Sequence, residues 1–123
     1  MNTRKVALYQ SLAACGAALI AFIGLCHEFF GHVVFPWGPA FLGGPIGWHA
    51  AGLSTVVVGL VLLGGTLRLY PLPVVPLALV VAAGGAFFVV VTAMLHHQFH
   101  MPALAGFLSG LLTAYCHRKG SGT

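Results

Sequence analysis

Between Lys5 and Arg68 the chain carries one charged side chain, Glu28, and between Arg68 and Arg118 it carries none. That scarcity limits the fold more than any motif does. A soluble domain averages about 25% charged residues, whereas this chain is 5% charged and 59% hydrophobic. Such a chain cannot coat itself for water. Its mean hydropathy of +1.01 agrees, and the class expected is all-α integral membrane, with the lipid bilayer as its first partner. A length of 123 residues leaves room for a single membrane domain.

The apolar runs divide the chain into four expected spans, at about residues 6–25, 50–67, 72–95 and 101–116. The first three come near the ~20 residues that a ~30 Å hydrocarbon core requires. The fourth is shorter and is expected to thin the bilayer locally or to start below the interface. Pro73, Pro76 and Pro102 fall in first turns, where a missing amide donor costs least. Residues 117–123 read as a polar, fraying tail. In the first span Ala13, Ala17 and Ala21 recur every four residues, which lets another helix come close. Gly106 and Gly110 make a GxxxG pair, read as helix packing within the bundle rather than as a dimerisation face.

The longest connection is residues 35–47. Between Pro36 and Gly47 it holds three prolines and four glycines, too many for a regular helix. Trp37, Phe41, Leu42 and Ile46 make it too apolar for a solvated loop. The architecture expected is therefore a four-transmembrane-helix bundle with an apolar Gly/Pro-rich extracytoplasmic loop between helices 1 and 2. That loop should lie along the interface or dip into the protein, where its backbone polar groups find partners. The start of the chain imitates a signal peptide, with Arg4-Lys5 and then Leu12-Ala13-Ala14-Cys15 like a lipoprotein box. The apolar run continues unbroken to Leu25, however, so an uncleaved first helix is expected.

Four spans place both termini and the middle loop on one side, together with Arg4, Lys5, Arg68, Arg118 and Lys119. These are all 5 of the basic residues. The positive-inside rule then makes both termini cytoplasmic, in an inner or plasma membrane. Basic residues scattered over span ends form no nucleic-acid surface, despite a pI near 9.4. Cys15, Cys26 and Cys116 fall at different depths and form no expected disulfide, with Cys26 a conceivable soft ligand.

The opposite side collects His27, Glu28, His32, His49, His96, His97 and His100, leaving His117 as the one histidine on the basic side. Residues four apart share a helix face, which pairs Glu28 with His32 and His96 with His100. One carboxylate and three imidazoles suit a transition metal, Zn, Fe, Mn, Ni or Cu, better than Ca or Mg. His27, His49 and His97 are then spare ligands or groups that orient the ligands. A haem ranks below a bare ion, since these histidines sit at span ends and not inside spans. His27-Glu28-Phe29-Phe30-Gly31-His32 is one residue longer than the zinc-protease H-E-x-x-H, and its histidines stand ~140° apart on a helix. With one acid in the chain, two-carboxylate catalysis within one subunit is excluded, and an enzyme is disfavoured. The function expected is metal binding on the extracytoplasmic face. The alternative is a non-catalytic accessory or assembly subunit of a larger membrane complex, or a homo-oligomer.

Overall fold

The computed structural model describes residues 2–121; the side chains of His32 and Val34, and residues 1, 122 and 123, lie outside the described set. Five helices follow one another, α1 (Thr3–Val34), α2 (Gly38–Phe41), α3 (Pro45–Thr66), α4 (Val74–His96) and α5 (Met101–Gly120), with no strand among the described residues. Among the described residues three stretches are long and apolar enough to cross a membrane: Thr3–Gly31, Pro45–Thr66 and Val74–His96. The fourth long helix, α5, ends in His117, Arg118 and Lys119.

Helix boundaries differ from the sequence reading, each for a local reason. α1 does not stop at Leu25 but runs 32 residues to Val34, about 48 Å at 1.5 Å per residue. Its polar residues do not end it because neighbouring helix groups satisfy them: His27 Nε2 meets Trp48 O at 2.8 Å and Glu28 Oε2 meets His49 Nδ1 at 2.7 Å. At its start the Asn2 side chain accepts from Lys5 N at 3.1 Å. α3 begins at Pro45, earlier than residue 50, so Trp48 and His49 are helical. Gly43 and Gly44 turn the chain into it at φ +87° and +106°, backbone that glycine alone takes at little cost. α5 continues to Gly120, past residue 116 where the fourth span was expected to end. Ser121 Oγ donates to His117 O and accepts from Arg68 Nη2, which ties that end to the α3–α4 turn.

The packing order does not follow the chain order. α1 packs against both α3 and α5, and α5 packs in turn against α4, whereas the consecutive pair α3 and α4 barely touch. Where they do meet, Leu72 and Val74 lie against Gly65, beside the turn that joins them. The contacts that hold the row together run through small residues. Ala13 and Ala17 are fully buried and Ala21 nearly so. A Cβ at Gly59 would strike Ala21 backbone, and one at Gly110 would meet Ala78 O at 2.7 Å and Ala82 N at 2.9 Å. Gly106 does not share that role, since a Cβ there meets nothing within 4 Å. A small core of Ala17, Ile20, Leu62 and Val74 fills the centre. Large apolar side chains such as Phe22, Phe87 and Val80 point outward, as hydrocarbon permits and water does not.

The two ends of the row differ in chemistry. At one end Tyr9 meets Tyr115 edge-on, Gly120 lies over Gln10, and Arg68 reaches Ser121. Arg4 and Lys5 open α1 there, and Arg118 and Lys119 close α5. The other end gathers His27, Trp48, Phe35 and His100.

Gly59→Ala should lower the thermal midpoint in detergent, because its Cβ meets Ala21 backbone that has no room to yield; a cost of about 1–3 kcal/mol is in proportion for overpacking. Gly106→Ala should leave the midpoint unchanged or raise it, since its Cβ enters open space and alanine favours a helix. Equal losses in a thermal melt of both variants would contradict this division.

Candidate functional site

The polar end is built from five pieces: the last turns of α1 and α4, the first turns of α3 and α5, and the connection around α2. A carbonyl only accepts, so the contact between His27 Nε2 and Trp48 O places the proton on Nε2. The same ring stacks on Trp48 at a centroid distance of 3.7 Å. Gly31 and Gly38 leave the room that the Trp48 ring fills, since a Cβ at either would collide with it. Glu28, the single acid, pairs with exposed His49 across α1 and α3. Its other oxygen, Oε1, is buried and has no hydrogen-bond partner.

On the far side the histidines are enclosed by rings. His96 stacks on Trp37 at 4.0 Å and meets the Phe41 edge at 5.3 Å, with its Nε2 buried and unpartnered. His100 is 8% exposed. It stacks on Phe35 at 4.3 Å and takes the edge of Phe88 at 4.9 Å. It also caps α5, its Nδ1 accepting from Ala103 N at 3.0 Å. An accepting Nδ1 leaves the neutral ring's proton on Nε2. His97 is the exposed C-cap of α4, in left-handed backbone at φ +52°. Trp37 Nε1 donates to Gln98 Oε1, a pair that no spacing rule singles out.

The arrangement therefore separates the residues expected to act together. Glu28 finds His49 on α3, while His96 and His100 are packed among rings of the α2 connection. The pairing of Glu28 with His32 falls on a side chain outside the described set. Among the described residues no three of His, Cys, Asp and Glu are grouped as metal ligands would be. The three cysteines are free.

A chamber of about 340 Å³ lies behind this end, in the gap that α3 and α4 leave between them. α1 supplies Ile20, Ile23, Gly24 and His27, and α3 supplies Ala51, Ser54 and Val58. α4 and α5 supply Val81, Gly84, Phe88, His100 and Gly106, while Phe35, Trp37, Leu42 and Trp48 form the roof. Sequence reading missed it because it arises from two helices failing to touch. One signal could have pointed to it: Gly84 and Gly106 stand in helices where neither seats a neighbour, for a Cβ at either meets nothing within 4 Å.

No known protein family, curated protein or solved structure matches this chain.

Burial first, and the charge of His27 second, together pull the His100 imidazole down from 6.5 to about 4. Between those values the unfolded chain binds a proton that the folded one refuses, so stability is complete above about 6.5 and is lost as pH falls to about 4. The full effect is on the order of 3 kcal/mol. The detergent melting midpoint should fall across that window. His100→Asn keeps an N-capping side chain and should flatten the slope there. An unaltered slope in that variant would assign the pH effect to another group.

Proposed function

We propose that this chain is a four-span integral membrane protein with cytoplasmic termini, whose work is to bind a lipophilic molecule and not to catalyse a reaction. The chamber between α3 and α4 is the observation that carries this reading. Its volume of about 340 Å³ lies at the lower end of the ~300–1,000 Å³ typical of ligand sites. Its walls are aliphatic and aromatic with a few polar groups, the composition such sites share. The chamber is half open and lies where α3 and α4 leave a gap, which would give a molecule dissolved in the bilayer a sideways route in. α5 supports the fourth span, because it is held between α1 and α4 and must share their depth. The gathering of Arg4, Lys5, Arg68, Arg118 and Lys119 at one end supports cytoplasmic termini.

Native mass spectrometry of the protein released from mild detergent should show a retained apolar molecule, lost on exhaustive detergent exchange. A reporter fused after Thr123 should be active only in its cytoplasmic form. Protein that never carries an apolar molecule, from any membrane it is extracted from, contradicts the binding reading.

A second reading has its own observation, the buried and unpartnered Oε1 of Glu28 beside the His49 pair. A carboxylate that orients an imidazole is the arrangement that often stands behind a metal-ligating histidine. Here His49 would offer Nε2 to a transition metal. Metal per protein should then fall sharply in Glu28→Gln and His49→Ala and stay level in His117→Ala. Wild-type protein free of bound metal after incubation with Zn or Cu would end this reading.

A further inference from the structure

Resting on the chamber reading, we infer that the occupant is an uncharged, ring-bearing lipophile with a carbonyl oxygen, of the quinone kind, whose carbonyl accepts a hydrogen bond from His100.

Four features of the wall select that class. The first is charge. Among the described residues no Lys, Arg, Asp or Glu lines the chamber, and its titratable members are His27 and His100. A charged head would be stripped of water there with no ion to compensate it. The second is shape. Both tryptophans of the chain, Trp37 and Trp48, line the chamber together with Phe35 and Phe88. Such rings favour a flat, conjugated partner in offset or edge contact. The third is size. About 340 Å³ accepts one ring system with a short tail, and a longer tail would trail out through the gap between α3 and α4.

The fourth feature is polarity. The Nδ1 of His100 is engaged by Ala103 N. The proton of the neutral ring therefore sits on Nε2, which has no partner among the described residues. A donor on a buried ring that lines an apolar chamber calls for an acceptor. His27 does not supply one through Nε2, since that atom gives its own proton to Trp48 O. The Thr55 hydroxyl, also on the wall, donates to Ala51 O within its own helix, and no hydrogen bond joins it to His100. A carbonyl on the ligand answers the His100 donor without bringing charge; Trp48, on the same wall, carries a second donor without a partner, its buried Nε1.

The two tryptophans make the chamber report on itself, because a quinone quenches indole fluorescence on contact. The probe is 2-methyl-1,4-naphthoquinone, titrated into the full-length protein in a non-aromatic detergent. Saturable quenching is expected. Gly84→Leu and Gly106→Leu should abolish saturation at an unchanged melting midpoint, because both side chains grow into the chamber without striking backbone. His100→Asn, which keeps the cap, should weaken binding about tenfold, as loss of one hydrogen bond to a buried group does.

Competition separates the possible failures. If 2-methylnaphthalene displaces the quinone at equal concentration, the carbonyl contact is wrong and the chamber reading stands. If a phospholipid brominated in its acyl chain quenches both tryptophans and excludes the quinone, a lipid tail fills the chamber and the ring class is overturned. If none of the three probes binds saturably, the chamber reading itself fails.

Discussion

The helices of this molecule meet backbone on backbone, at Gly59 on Ala21, at Gly110 on Ala78 and Ala82, and at Gly85 on Ala103 and Phe107. In hydrocarbon a helix gains little by hiding leucine, because lipid tails are just as apolar. What remains is dispersion between surfaces that fit, and fit requires side chains small enough to let the helices meet. Each strong interface has such a seam: Gly59 with Ala21 between α1 and α3, Gly16 with Thr113 between α1 and α5, and Gly110 with Ala82 between α5 and α4. Between α3 and α4 the small-residue contact is confined to Gly65 beside the turn. The chamber is what this difference leaves. The chamber and the packing thus have one origin, the placement of glycine and alanine.

The same logic accounts for the polar end. Glu28 and His27 could end a helix in water, yet α1 runs through them to Val34, more than two turns past Leu25. It can do so because Trp48 O and His49 are delivered by the early start of α3. The rings of Phe35, Trp37 and Phe41 then close over His96 and His100. Enclosure by rings in place of water or ions turns imidazoles into hydrogen-bonding groups set in an apolar wall. It also accounts for the low proton affinity of His100.

Much of the helical frame was legible in the residues. Uninterrupted apolar runs placed the long helices, and the four-residue recurrence of Ala13, Ala17 and Ala21 marked the face of α1 that is now buried. Boundaries were less legible, because whether a polar residue ends a helix depends on partners distant in sequence. Pro45-Ile46-Gly47 reads as loop, yet Pro45 is simply the first residue of α3. The grouping of histidines was not legible either. The i,i+4 rule paired residues within one helix, while Glu28 chose His49 from another. For Gly106 and Gly110, spacing states that two residues lie about 40° apart around a helix; it does not state what each faces. Gly110 faces α4, whereas Gly106 faces the chamber.

The packing order α3, α1, α5, α4 bears on how such a chain is assembled. α1 and α3 can pair as soon as both have emerged, since each needs only the other. α4 emerges next and finds almost no surface of its own to join, because its partner is the helix that follows it. Until α5 is complete, α4 is held to the pair by little more than the turn at residues 67–73. The helix that follows α4 is thus the one that joins the two halves, and it does so through contacts with the much earlier α1. Contacts so far apart in sequence are slow to form. During that wait the seams of α4, Ala78 and Ala82 among them, are open to other helices in the bilayer, which makes this the interval in which mispairing is easiest.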